Sequence, residues 1–295
     1  MPAPLKAGDR IAIASPASKI DPALIDAAAS ALTAEGFEVV VMPHAKGVNG
    51  SFSGSVAERL DDMRQALEDE SVRGVLCSRG GYGAVHLLEE LDRLPERCFD
   101  KWLVGFSDIT ALHALWGRKG VASMHGAMAK YIGRRGDFAC YDREMAILMG
   151  ASADCAFEGS GFNRPGEAEG MVVGGNMAVL GGLIGTPFDP IAPGTILFIE
   201  DIAEPIYKIE RMLWQLRLRG VFDRLGGLLV GQFTEYRPSA DHEGMEQMIA
   251  RAVEGYEFPV AMTLPVGHIE ENHPLLLNRR AKMRVDAEGV KLSYL

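Results

Sequence analysis

VRGVLCSRGGYGAVHLLEELD (Val72–Asp92) changes character twice. The apolar run VRGVLC predicts a buried strand. The cluster SRGGYG (Ser78–Gly83) breaks it, and AVHLLEELD restarts the chain as a helix. A glycine-rich turn between strand and helix aims bare backbone N–H groups outward, where an anion can sit. Two anions fit: a resting phosphate, or an oxyanion that exists only during a reaction. The same turn also serves simple close packing of helix on strand.

Outward from this stretch the alternation repeats. RIAIASP (Arg10–Pro16) predicts a strand, PALIDAAASALTAEG a helix closed by Gly36, and FEVVVMP (Phe37–Pro43) a second strand. SVAERLDDMRQALEDE opens with a capping box, Ser55 to Glu58, and carries Leu60, Met63 and Leu67 at helical spacing. WLVGF (Trp102–Phe106) predicts another strand, DITALHALWGRKG its helix, and VASMHG closes the series. Alternating strands and helices predict an α/β domain over residues 1–150, built on a parallel sheet covered on both faces. The pattern fails at GASADCAFEGSGFNRPGEAEG (Gly150–Gly170), which has no periodicity, so residues 151–170 read as a loop or linker. Residues 171–295 then predict an α+β domain. GTILFIED, LGGLLVGQF and PVAMTLPVGH are its strands, PIYKIERMLWQLRLRG is a helix, and AKMRVDAEGVKLSYL is a hairpin turning at Asp286–Gly289. Ile209, Met212, Leu213 and Leu216 form a helical stripe that belongs to the core.

Composition narrows the partners. The chain has 295 residues, 47% of them apolar, and a formal net charge of −10. Such a chain supports sizeable cores, and its charge disfavours nucleic acid and anionic lipid as partners. The four cysteines, Cys77, Cys98, Cys140 and Cys155, show no CxxC spacing, so no zinc or redox motif is expected. Their scatter fits a reducing cytoplasm. The opening MPAPLKAGDRIAIASPAS has one lysine and no long apolar run, unlike a secretory signal. No apolar run is long enough to predict a membrane span.

Ser107 stands directly between a strand and a helix, where a nucleophile elbow holds its serine. An ordinary helix N-cap would look the same. Gly105 suits the elbow, but Ile109 stands where its second glycine would be. In an open parallel sheet, ligands gather beyond the carboxyl ends of the strands. The glycine loop and Ser107 both lie at such ends and can face one crevice. The N–H of Asp108 would then add a second donor for an oxyanion.

A nucleophilic serine needs a base and an orienting group. His113 and His86 lie within or at the start of helices, and His44 and His242 lie in polar loops. His125 ends VASMH and His268 follows an apolar run at Gly267, and these two remain open as the base. Glu200 ends a strongly apolar run, where partial desolvation favours a histidine partner, although it could equally begin a loop. Cys77 lies inside its strand among small apolar residues and reads as structural.

RGGYG, VGFSDIT, GGNMAVLGGLIGTP, LFIEDIAEPIYKIERML and GHIEEN occur in this order and spacing. Together they resemble the LD-carboxypeptidases, serine peptidases that include the microcin C immunity peptidases. The resemblance covers nearly the whole chain. It implies a glutamine amidotransferase-like α/β domain followed by a swivelling β/β/α domain. It implies a triad of Ser107 as nucleophile, Glu200 as orienting group and His268 as base, with the N–H groups of Gly81 and Asp108 as oxyanion hole. It further implies no metal or other cofactor, a cytoplasmic homodimer, and a small peptide substrate, the muropeptide tetrapeptide of murein recycling. A peptidyl or aminoacyl nucleotide is the alternative substrate, and an anion-binding protein without covalent chemistry is the rival class. One departure is Asn278, where the family tends to have glycine; either residue tolerates a turn with positive φ. In the immunity peptidases a loop near Gly150–Gly170 carries aromatic residues that stack on the substrate's base. Here that segment offers Phe157 and Phe162 but no tryptophan, which favours the muropeptide.

Overall fold

The computed structural model describes residues 1–134, 140–238 and 244–295. Two compact units emerge, Met1–Ser152 with Glu270–Leu276, and Ala153–Ile269 with Leu277–Leu295. Residues 153–170 thus belong to the second unit, and a short piece of the C-terminal half belongs to the first.

The first unit carries strands β1 (Arg10–Ala14), β2 (Glu38–Val41), β3 (Val72–Cys77), β4 (Trp102–Gly105) and β5 (Ser123–His125). All pair in parallel, in the order β2-β1-β3-β4-β5. The helices between them start and stop where local chemistry dictates. Asp21 caps Pro22–Ala34 by accepting from the Ala23 N–H, and Gly36 ends that helix at φ 96. Ser55 and Glu58 make both bonds of the capping box on Val56–Glu68. Ile13, Val75, Leu103 and Trp102 are almost wholly buried, as both faces of a parallel sheet require. The order reverses between β1 and β3, so the loops after β1, β3 and β4 crowd one end of the sheet, the usual place for a ligand.

The second unit carries β6 (Cys155–Phe157), β7 (Gly166–Asn176), β8 (Ile196–Ile202), β9 (Gly227–Thr234) and β10 (Val260–Ala261). Next in the chain, β11 (Leu275–Leu277) returns to the first unit and pairs beside β5. β12 (Arg279–Asp286) and β13 (Gly289–Tyr294) then form the expected hairpin, with Asp286 opposite Gly289. The second sheet runs β10-β9-β8-β7-β12-β13-β6, parallel from β10 to β7 and antiparallel beyond. Ile209, Leu213 and Leu216 of the helix Ile206–Leu218 pack with Leu197, Ile199 and Val230 in its core, and Met212 borders them.

Two expected elements differ. The stretch read as a linker supplies β6 and the start of β7, because each finds an antiparallel partner far along the chain in the C-terminal hairpin. The strand expected to reach His268 stops at Ala261. Beyond it Thr263 takes φ 58, a conformation that breaks a strand, and Pro265 has no N–H to offer a ladder. Asn278 does adopt positive φ, at 59°.

Candidate active site

Ser107 follows β4 with no loop between. Phe106 is extended, at φ −152 and ψ −171, and Ser107 jumps to φ 66 before the short 3-10 turn Ser107–Ile109 and the helix Thr110–Arg118. The left-handed region costs an L-residue about 1–2 kcal/mol, so the turn is strained. Gly105 shows why Ile109 can replace the elbow's second glycine. A β-carbon on Gly105 would lie 3.0 Å from Ile109 Cγ1 and 3.2 Å from Cys77 Cβ, so its absence lets a buried isoleucine close over the strand. Ser107 itself is half-buried, and its hydroxyl makes no hydrogen bond within its own unit.

The glycine loop lies directly on this serine. A β-carbon at Gly80 would fall 2.8 Å from Ser107 Cβ, 2.9 Å from its Oγ and 3.1 Å from the Asp108 nitrogen. Gly81 has φ 105, and the space its β-carbon would need is filled by the Ser18 hydroxyl. Ser18 also ties the loop down, donating its N–H to the Gly80 carbonyl at 3.3 Å and accepting from the Tyr82 N–H at 3.1 Å. The N–H groups of Gly81 and Asp108 have no acceptor among the described residues. The buried Asp108 carboxylate accepts from the Ala84 N–H at 2.9 Å.

In the second unit, His268 Nδ1 lies 2.7 Å from Glu200 Oε2, with side chains 9% and 0% exposed. A carboxylate only accepts, so Nδ1 is the donor in this bond. Two glycines make room for this pair. A β-carbon on Gly267, at φ 126, would lie 2.9 Å from Glu200 Oε2, and one on Gly231 would lie 3.1 Å from Glu200 Cβ and meet the Val266 carbonyl. Gln232 holds the irregular chain leading to His268. Its N–H donates to Val266 at 2.9 Å, and its side-chain amide donates to the carbonyls of Thr263 and Leu264 at 2.9 and 3.1 Å.

Asp201, next along β8, turns to another set of partners. It accepts from the Asn176 side chain at 2.8 Å and the Ala178 N–H at 2.9 Å. Burial, with Glu200 adding to it, pushes its carboxyl up to about 6. Gln232, Asn176 and the role of Asp201 escape sequence reasoning. The one signal was a polar residue, Asn176, ending the run MVVGGN.

The remaining candidates have other surroundings. His125 is buried at the end of β5, its ring 5.4 Å from that of Phe106. His113 is buried, 2.8 Å from both Ser123 Oγ and the Gly105 carbonyl, and burial lowers it to about 4. His44 pairs with Asp62 at 2.9 Å, and His86 sits edge-on to Tyr82. His242 lies outside the described residues. Cys77 is buried, which pushes its thiol far up, away from the reactive thiolate. Among the described residues no group of three or more His, Cys, Asp or Glu side chains is placed to hold a metal ion, and no helix is long and apolar enough to cross a membrane.

Residues 11–126 match the LD-carboxypeptidase N-terminal domain, and residues 169–283 match the LD-carboxypeptidase C-terminal domain. The chain belongs to the LD-carboxypeptidase family. An LD-carboxypeptidase is a serine-type peptidase, a hydrolase, and its relatives match at nearly full length. The murein tetrapeptide carboxypeptidase of Pseudomonas aeruginosa is 31% identical, over 89% of this chain and 89% of its own. The microcin C7 self-immunity protein MccF of Escherichia coli is 25% identical, over 99% of this chain and 94% of its own. Among solved structures, the muramoyltetrapeptide carboxypeptidase from Oxalobacter formigenes superposes with a TM-score of 0.86 at 28% identity, covering 97% of this chain and 98% of that one. The LD-carboxypeptidase architecture expected from the sequence, an α/β domain with a parallel sheet followed by a mixed α+β domain, is the one observed.

Proposed function

We propose that this LD-carboxypeptidase removes the terminal D-alanine from muropeptide tetrapeptides, with Ser107, His268 and Glu200 as its triad. The observation that carries the reading is the short contact between His268 Nδ1 and the buried Glu200 carboxylate, which orients the ring for use as a base. In the proposed reaction the Ser107 hydroxyl attacks the carbonyl that joins an L-configured centre, such as diaminopimelate, to D-alanine. His268 Nε2 takes the hydroxyl proton, and Glu200 stabilises the imidazolium that forms. The carbonyl oxygen becomes an oxyanion between the N–H groups of Gly81 and Asp108, whose freedom from other acceptors supports that role. The C–N bond then breaks as the imidazolium gives its proton to the leaving amine. Water repeats the sequence on the acyl-enzyme and releases the tripeptide.

The substrate follows the similarity to the Pseudomonas aeruginosa enzyme. The test is hydrolysis of a muropeptide tetrapeptide by the parent and by Ser107→Ala, with fluorophosphonate labelling of the parent. Labelling at Ser107 and loss of turnover in the variant are expected; equal turnover would overturn the triad. Absence of labelling together with saturable binding of an anionic ligand would favour a binding protein. Full-length similarity to MccF favours a second reading, cleavage of an aminoacyl nucleotide. Aminoacyl-sulfamoyl adenosine, assayed beside the tetrapeptide, separates the two. Murein recycling would place the work in the cytoplasm, and we propose a homodimer, which sedimentation checks.

A further inference from the structure

The proposed oxyanion donors, Gly81 and Asp108, sit on two separate loops. Their spacing matters, since a misplacement of about 1 Å can cost about 10²-fold in rate. Ser18 anchors the start of the glycine loop, as described above. Its far end is held differently. The peptide joining Gly83 to Ala84 offers its carbonyl to Arg59 Nη1 at 2.8 Å and its N–H to Asp108 Oδ2 at 2.9 Å.

Both holders are charged groups out of water. Arg59, on the helix Val56–Glu68, is 1% exposed, and Asp108 is 3% exposed. No carboxylate lies within ion-pair distance of Arg59 among the described residues. Its hydrogens go instead to carbonyls, Pro16 at 2.7 Å, Gly83 at 2.8 Å and Gly54 at 3.3 Å, and to His86 Nδ1 at 3.3 Å. The guanidinium also stacks 4.9 Å from the Phe52 ring centre. Burial lowers the Arg59 pKa and raises that of Asp108, and each charge partly offsets the effect on the other. A buried charge without a direct counterion is expensive to keep, so this arrangement calls for an account. The peptide between them supplies one: its oxygen faces the cation and its hydrogen faces the anion, so its dipole is favourable to both.

We infer that Arg59 and the Asp108 carboxylate are positioning residues that clamp the Gly83–Ala84 peptide and hold the glycine loop in register with the serine elbow. The inference rests on the reaction proposed above. Arg59 reaches two strand-end loops at once, through Pro16 and Gly83, while Asp108 belongs to the third. Neither side chain needs to touch substrate. The clamp acts on the oxyanion, so it changes turnover and leaves ground-state binding nearly alone.

The test uses the full chain with Arg59→Lys, Arg59→Met, Asp108→Asn and Asp108→Ala. Hydrolysis of a muropeptide tetrapeptide gives kcat and KM, corrected for the folded fraction read from thermal melts. Arg59→Met is expected to lower kcat by about 10²-fold with KM within threefold. Arg59→Lys, which keeps the charge but not the fork, recovers at least tenfold of that loss. Asp108→Asn, which keeps an acceptor for Ala84, loses less than Asp108→Ala. Folded Arg59→Met at the parent kcat, or a loss that only tracks the unfolded fraction, overturns the clamp. If Arg59→Met does not fold, the kcat of Arg59→Lys and the order of the two Asp108 variants decide on the same terms. Ser107→Ala is measured alongside. Were it fully active, the triad reading would fail first; were it inactive while Arg59→Met kept full kcat, only the clamp would fall.

Discussion

Replacing Ser107 by glycine and, separately, by alanine tests whether the elbow stores strain. At φ 66 any residue with a β-carbon is held in a left-handed turn that costs about 1–2 kcal/mol. Glycine escapes that cost, but its looser unfolded chain gives back about 0.4–1 kcal/mol relative to alanine. Both variants lack the hydroxyl, so its removal cancels in the comparison. The difference leaves Ser107→Gly more stable than Ser107→Ala by about 0.5–1 kcal/mol. Guanidinium unfolding at matched m-values measures this, with muropeptide hydrolysis assayed on the same preparations. Both variants should lose turnover while one gains stability. A glycine variant clearly less stable than the alanine variant would show that the backbone at this turn is relaxed.

Other substitutions probe the neighbouring parts. Gly80→Ala puts a methyl group 2.8 Å from Ser107 Cβ and 3.1 Å from the Asp108 nitrogen, and should cut kcat by about 10²–10³-fold, as loss of an oxyanion donor does. Glu200→Gln keeps the shape but not the charge that orients His268, and should lower kcat by about 10⁴-fold in steady-state assays. Glu144 is buried, which raises its carboxyl to about 8. A raised carboxyl contributes stability below its unfolded pKa and loses it as pH climbs through the folded one. The stability of Glu144→Gln relative to the parent should therefore grow between pH 4.5 and 8 in thermal melts. His113 works in the opposite sense, with its pKa lowered to about 4. Its contribution is present above pH 6.5 and fades as pH falls through 4, by about 3 kcal/mol, and acid titration of His113→Gln should lack that loss.

The parts legible in the sequence were those fixed by neighbours along the chain. β1, β3 and β4 are short apolar runs closed by serine or glycine, and the helix after β1 carries its own cap. Ser107 could be singled out because strand and helix meet there without a spacer. The parts that escaped depend on distant partners. The outer half of β7, Gly166–Gly170, alternates weakly and becomes a strand only beside β12. β6 has three residues and exists because β13 offers an edge. The approach to His268 looks like a strand by composition, yet Thr263 and Gln232 bend it into a loop. Arg59 is one of several charges on the helix Val56–Glu68, and only the fold shows that it points inward.

Strand β11 has a consequence for biosynthesis. The sheet that opens the chain receives its last strand about 150 residues after β5 is made. At roughly 5–20 residues per second on the ribosome, that is a wait of roughly 8–30 s. Throughout it the outer margin of β5 is an open template for mispairing, and a fragment ending at Ser152 would keep that wound permanently. The N-terminal half is born first but completed only near the end of synthesis.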